Sequence, residues 1–320
     1  FKGANVLFQS VDLETLSTEG GFEPSEVGLL LDQCIQTLKT ARDKRPRPHL
    51  DDKVLASWNG LMISGACRLY QSSGDQSGLE LAVRAAEFVW NRMFDTATST
   101  LFRAFRESLG ETQGFAEDYA CLGLAYLDLY ESTGCLQWLQ RSEMLIERLI
   151  SRFWDEDGGG FFSSSDGDES LIARLKDDYD GAEPSANSLA VIALVKISSI
   201  LGEDRFAKYA RETIEAFRSR WSTHPRSMPA MLLAAMRMFR PIQQIVITGD
   251  WGSRTGQQLL QTVFSNRKRH SSVAYLDIES DWLISRNGRY GDFPRDDASP
   301  TVYVCDNFAC KAPTADPEAL

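Results

Sequence analysis

GFAEDYACLGLAYLDLYESTGCLQWLQRSEMLIERLISRFWDEDGGGFF, residues 114 to 162, holds the pattern from which the rest of the chain can be read. Residues 118 to 130 are mainly Leu, Ala, Gly and Tyr. A helix with no wet face has to be enclosed by its neighbours. From 136 to 153, Leu139, Leu145, Ile146, Leu149 and Phe153 recur at helical spacing, which predicts an amphipathic helix with one face in solvent. Only Thr133 to Cys135 separate the two, so they are expected to pair as an inner and an outer helix. Gly158-Gly159-Gly160 followed by Phe161-Phe162 then predicts a short hairpin. The end of the outer helix, Arg152-Phe153-Trp154-Asp155, is matched by Arg92-Met93-Phe94-Asp95 earlier in the chain, and such self-similarity marks a repeat.

The same contrast runs along the chain. Residues 26 to 43 (Val27, Leu30, Leu31, Cys34, Ile35, Leu38), 78 to 94 and 204 to 221 read as amphipathic outer helices. Residues 54 to 72, where Arg68 is the only charge, 186 to 200, and the methionine-rich 229 to 239 read as buried inner ones. Four outer-inner pairs result, and the expected fold is a toroid of paired helices. Helices that alternate in direction put every outer-to-inner connection at one end. Two of these connections are long, Asp95 to Glu117 and Trp154 to Ser185, and a function is expected at the mouth where they gather. From Gln243 the character changes: Ile245–Thr248, Val273–Ile278 and Thr301–Cys305 read as strands and Gly256–Phe264 as a short helix. Asn287 to Ser299 reads as a surface loop. The expected organisation is a partial toroid over 1–241, its N-terminal hairpins missing, and a small α/β appendage over 242–320.

A net charge of -11 and a longest basic run of Arg267-Lys268-Arg269-His270 exclude a nucleic-acid partner. The most apolar stretch, Leu189 to Ile200, is shorter than the about 20 residues a bilayer requires, so no membrane is expected. The first residue is Phe1 rather than Met, which predicts a fragment or processed product whose targeting segment lies elsewhere. The six cysteines fall mostly on apolar helix faces and read as reduced thiols, which favours the cytoplasm or an organelle matrix. Cys305 and Cys310 do not have redox-motif spacing and read as packed or surface thiols. The three histidines lie at no ligand spacing, and neither a metal nor a cofactor is expected.

Three connections end in acids at inner-helix starts: His49-Leu50-Asp51-Asp52-Lys53, Glu117-Asp118-Tyr119, and Asp177-Asp178-Tyr179-Asp180-Gly181-Ala182-Glu183. Such acids can simply cap helices, where free N–H groups and the dipole favour them. Capping does not explain Trp58-Asn59 or Asn187 inside apolar helices, since a buried amide needs partners. Carboxylates, amides and rings gathered in one cavity suit a sugar: acids move protons, amides bind hydroxyls, and rings stack on pyranose faces. The candidate catalytic acids are Asp51, Asp52, Glu117, Asp118, Asp180 and Glu183. The candidate ligand-binding residues are His49, Lys53, Trp58, Asn59, Tyr119, Asp178 and Asn187. A hydrolytic pair would stand about 6.5–9.5 Å apart for inversion or about 5–5.5 Å for retention.

Four segments carry a family resemblance: RPRPHLDDKVLASWNGLMI (Arg45 to Ile63), GFAEDYACLGLAYLDLYE (Gly114 to Glu131), RLKDDYDGAEPSANS (Arg174 to Ser188) and YVCDNFACKAPTADPEAL (Tyr303 to Leu320). They resemble the spermatogenesis-associated protein 20 family. The resemblance implies a mainly α fold, a partial (α/α)6 toroid of the six-hairpin glycosidase-like kind, with the small C-terminal α/β appendage. It also implies an upstream thioredoxin-like domain and further toroid hairpins as partners, and kinship in fold with glycosidases and N-acylglucosamine 2-epimerases. The expected function is carbohydrate processing or binding; the alternative is a non-catalytic interaction or scaffold domain with a role in sperm development. Epimerases of this fold use histidines on the barrel lining, and only His49 approaches the mouth here. Four pairs do not close a six-pair ring, so the first and last inner helices are expected to carry uncovered apolar flanks.

Overall fold

A computed structural model describes residues 8–166, 172–240, 243–268, 271–278, 280–295, 299–306 and 309–320. The chain divides into two compact units, residues 1–52 and 53–320. The first unit holds helices α1 (Leu13–Gly20) and α2 (Pro24–Asp43). Asp12 caps α1 by accepting from the Thr15 N–H at 2.7 Å. The apolar positions of α2 recur as the periodicity predicts, yet only Val27 is buried, and Leu30, Leu31, Ile35 and Leu38 are exposed.

The second unit begins with β1 (Val54–Leu55), α3 (Ala56–Ser73) and α4 (Gln76–Met93). The four short strands β2 (Phe94–Asp95), β3 (Thr100–Leu101), β4 (Ala104–Arg106) and β5 (Ser108–Leu109) follow. Then come α5 (Ala116–Thr133), α6 (Leu136–Phe153), α7 (Ala186–Leu201), α8 (Asp204–Ala216), α9 (Arg218–Thr223) and α10 (Pro229–Met238). Helices α3, α5, α7 and α10 lie side by side in an inner layer, and α4, α6 and α8 back them as an outer layer. The two layers form an arc of paired inner and outer helices, as the alternation along the sequence predicts. The short turns from inner to outer helix share one device: Gly74, Gly134 and Gly202 close α3, α5 and α7 with φ of 73, 72 and 70°. Only glycine takes that left-handed conformation without strain, and it stops the helix where the chain must reverse.

Helix α5 is enclosed on all sides, as its composition requires, with Leu122, Tyr126, Leu127 and Leu129 fully buried. Helix α3 approaches it closely because Gly60 has no side chain; a Cβ there would stand 2.8 Å from the Cys121 carbonyl carbon. Gly60→Ala is therefore expected to force the two helices apart at a cost of about 1–3 kcal/mol, seen as a lower urea midpoint; an unchanged midpoint would show that the contact is slack. The reading of 54–72 as wholly enclosed needs correction: Trp58, Met62 and Leu69 of α3 are exposed. At the other edge of the layer, Leu233, Met236 and Phe239 are exposed as well. These are the uncovered flanks expected of an open arc.

The repeat seen in the sequence is also structural. After α4, Phe94 pairs with Leu101 in the β2–β3 hairpin, and after α6, Trp154 pairs with Phe161. Aromatic rings pack each junction, Trp90 on Phe94 at 4.3 Å and Trp154 on Phe161 at 5.2 Å.

The tail contributes β6 (Gln243–Thr248), α11 (Arg254–Asn266), β7 (Ser271–Leu276), α12 (Asp281–Arg286), β8 (Thr301–Asp306) and β9 (Ala309–Cys310). The sheet order is β7-β6-β8-β9, with β6 and β7 parallel and the other neighbours antiparallel. It belongs to the same compact unit as the helical layers, to which Tyr275 is tied by donating its hydroxyl to the Glu131 carbonyl at 2.6 Å. Two expectations are corrected here. Asn287 to Ser299, of which residues 296–298 lie outside the described residues, is not simply a surface loop, because Tyr290 is fully buried and donates to the Ile200 carbonyl at 2.8 Å. Cys305 and Cys310 are not free thiols: they face each other across β8 and β9 and form a disulfide. Arg269 and His270 of the basic run lie outside the described residues. No described helix is long and apolar enough to cross a membrane.

A charge cluster underlies the inner layer. Lys196 of α7 reaches Asp128 at 2.5 Å and Glu131 at 3.0 Å on α5, and all three side chains are almost wholly buried. Arg68 joins Asp128 at 3.1 Å, and Arg267 joins Glu131 at 2.9 Å.

Candidate ligand site at the mouth of the inner helices

The acids of the long connections tie the inner-helix starts together. Asp118, fully buried at the start of α5, accepts from the Ser57 N–H of α3 at 2.9 Å and from the Phe115 N–H at 2.9 Å. Arg103, carried between β3 and β4, pairs with Asp118 at 3.2 Å and with Glu117 at 2.5 Å. Burial raises the pKa of Asp118, against the lowering influence of the Phe115 N–H and of Arg103. Asp180 does for α7 and α10 what Asp118 does for α3 and α5. It accepts from the Ser185 N–H at 2.8 Å and from the Ala230 and Met231 N–H groups at 2.8 and 3.3 Å. The starts of α3, α5, α7 and α10 are therefore held at one end of the arc.

Several candidate ligand residues are committed to the framework. Asn187, fully buried, accepts from the Phe161 N–H at 2.7 Å and donates to the carbonyls of Phe161 and Asp177 at 3.0 and 3.2 Å. Its amide pins the second hairpin. The hydroxyl of buried Tyr119 accepts from the Leu101 N–H at 2.9 Å, and Asn59 donates back to the carbonyl of Leu55, the residue just ahead of its helix, at 2.8 Å. His49, Asp51 and Asp52 belong to the first unit, where all three are exposed. Lys53 is exposed just ahead of β1.

What faces solvent at the mouth is a smaller group. Trp58, 54% exposed, donates its indole N–H to Glu183 at 2.8 Å, joining α3 to the connection before α7. Tyr179, Asp177 and Asp178 are exposed on the same connection, and Asp178 pairs with Arg220 at 3.2 Å. Partial burial raises the pKa of Asp177, and the neighbouring carboxylates Asp178, Asp180 and Glu117 add to the effect while the Tyr179 N–H opposes it. Among the described residues, no three His, Cys, Asp or Glu side chains gather as metal ligands.

The inner layer also bears an open cavity of about 600 Å³, lined by residues of all four inner helices, among them Leu61, Cys121, Leu189 and Met236. Cys121 links cavity and mouth: burial, then the charges of Asp118, Glu117 and Glu183, push its thiol pKa up. Arg103 and the cavity floor were not legible in the sequence. Arg103 sits in a polar connection, where nothing in spacing singles out one arginine.

No family model matches the chain. The chain is 34% identical over 326 residues to human spermatogenesis-associated protein 20, a match covering 99% of this chain and 42% of that protein. The mouse protein of the same name is 34% identical over 98% of the chain and 41% of its own length. The chain thus spans about two fifths of the curated relatives it matches. Among solved structures, cellobiose 2-epimerase from Bacillus thermoamylovorans B4167 aligns with a TM-score of 0.46 and 12% identity over 53% of this chain and 46% of that one. The GH76 α-mannanase BT2949 of Bacteroides thetaiotaomicron aligns with a TM-score of 0.45 and 18% identity over 54% of this chain and 47% of that one. At these scores it is the helix pairing of the chain itself, not the likeness, that defines the fold.

Proposed function

Along 99% of its length the chain belongs to the spermatogenesis-associated protein 20 family, and within that family we propose that its inner-helix mouth binds a carbohydrate. The observation that carries this reading is the Trp58–Glu183 hydrogen bond of 2.8 Å. It holds an exposed indole face at a fixed angle beside a carboxylate. A flat ring face suits the C–H side of a pyranose, and a carboxylate oxygen accepts from sugar hydroxyls. Glu117 and Asp177 supply further carboxyls at the mouth. Asp118 and Asp180 act as positioning residues, since their oxygens are taken by backbone N–H groups.

Trp58→Ala and Glu183→Gln are each expected to weaken glycan binding about tenfold or more, as the loss of a stacking or charged hydrogen-bonding contact does. A glycan array followed by titration of the best binder checks this, with product analysis of the same glycan for hydrolysis or epimerisation. Binding that is unaffected by both substitutions would exclude the mouth.

A second reading has its own observation. The uncovered flanks of α3 and α10 favour an interaction domain. We propose that further helical hairpins outside residues 1–320, attached to a thioredoxin-like domain, cover these flanks. The reading predicts no glycan binding and a gain in stability when those hairpins are added.

A further inference from the structure

Residues 309–320 lie along β8 with few attachments. Strand β9 is two residues long, both exposed, and pairs Ala309 with Asp306 and Cys310 with Cys305. Beyond it the Lys311 N–H donates to the Val304 carbonyl at 3.0 Å, and the backbones of Val302 and Thr314 exchange bonds of 2.9 and 3.1 Å. Of the side chains in 311–320, those of Thr314, Pro317 and Leu320 are partly buried and the rest are exposed. A segment held by so few buried contacts belongs to the low end of local stability. What it covers is largely apolar. Ala312, Thr314 and Leu320 join Ile245, Val263 and Val304 in lining a cavity of about 240 Å³.

The covalent tie at the root of this segment is the Cys305–Cys310 disulfide. Its two ends differ, since Cys305 is buried in β8 whereas Cys310 is exposed on β9. The other four cysteines are free. We propose that the disulfide is a redox clasp: formed, it holds residues 311–320 against β8; reduced by a dithiol, it releases them, opens the cavity and leaves β8 as an unpaired edge. In the step, a thiolate of the dithiol attacks the exposed Sγ of Cys310, and Cys305 leaves as a thiolate and takes up a proton. The second thiolate of the reductant then displaces Cys310 from the mixed disulfide. Two electrons and two protons pass to the two cysteines, and the dithiol ends as a disulfide. A cross-link across a loop this short shifts an opening equilibrium by about tenfold or more. Three exposed hydrogen bonds contribute an effect of the same order, so the covalent bond decides whether the segment stays down.

The test compares hydrogen exchange before and after treatment with dithiothreitol in native buffer, while alkylation and mass spectrometry report the state of each cysteine. After reduction the amides of Val302, Lys311 and Thr314 are expected to exchange about tenfold or more faster. Those of Val246 and Ile247 in β6 should keep their rates, and oxidised glutathione should restore the original protection. Cys310→Ser, with its fold checked by a melting curve, should exchange at the reduced rate whether or not dithiothreitol is present; the reduced wild-type protein gives the same reading without a substitution. A disulfide that dithiothreitol cannot cut in the folded chain overturns the proposal, as do reduced cysteines with the three amides still protected. Loss of protection in β6 as well would make the bond a general staple of the sheet, and that also contradicts a clasp.

Discussion

Lys196→Met is expected to cost about 3–5 kcal/mol, enough to unfold much of the second unit at room temperature. The lysine is 1% exposed and sits between Asp128 and Glu131, whose side chains are 3% and 1% exposed. Methionine fills nearly the same volume, so the loss is electrostatic: two buried carboxylates are left with less positive charge than the site was built to hold. Urea denaturation followed by circular dichroism reads the cost directly, and a loss under about 1 kcal/mol would mean that water or Arg68 replaces the ammonium group. The same cluster sets an acid limit. Burial tends to raise the pKa of Glu131, but Lys196, Arg267 and Arg68 outweigh it and hold the group at about 2. Asp128 is likewise held below its ordinary value, with burial outweighed by Lys196 and Arg68. Both folded values lie below the unfolded ones, so this stabilisation is present above pH 4.5, the ordinary value for Glu. It is lost as pH falls toward about 2. A melting temperature that falls through that window is the expected outcome, and in Lys196→Met the fall should be shallower.

Asp118→Ala is the second large effect, expected at about 2–5 kcal/mol. It strands the Ser57 and Phe115 N–H groups and removes one of the two acids paired with Arg103. Here the pH dependence has the opposite sign. Burial raises this carboxyl in the fold, so its ionisation works against stability, and protonation on acidification partly offsets the loss at Asp128 and Glu131. Hydrogen exchange offers a local readout: the amides at the start of α3 should lose protection in Asp118→Ala before the rest of the layer does. If the start of α3 stays protected, the carboxylate is not what joins α3 to α5.

The layering was legible because the fold is built on a contrast that the sequence displays, wet-faced helices alternating with dry ones. The single gathering end followed from loop lengths, and Asp118 and Asp180 show why: each sits in a long connection and bonds the start of a neighbouring helix. Other features depend on neighbours that periodicity cannot reveal. Asp128, Glu131 and Lys196 look like isolated polar residues in apolar helices, and only the side-by-side packing of α5 and α7 shows them to be partners. Asn187 looked like a ligand group because a buried amide demands partners; they turned out to be the backbone of Phe161 and the Asp177 carbonyl. The Cys305–Cys310 bond escaped for a similar reason, since the spacing of the two cysteines does not show that β8 and β9 pair.

Trp58 offers the most direct test of the central claim, that carbohydrate is bound where the inner helices begin. With the chain's seven tryptophans labelled as 5-fluorotryptophan, ¹⁹F NMR resolves individual rings, and Trp58→Phe identifies the Trp58 resonance by its disappearance. Titration with a glycan that binds should shift the Trp58 resonance, with a dissociation constant equal to that measured by calorimetry, while Trp90 and Trp138, whose rings both contact Arg141 in the outer layer, stay in place. A glycan that binds with the Trp58 resonance unmoved would contradict the account.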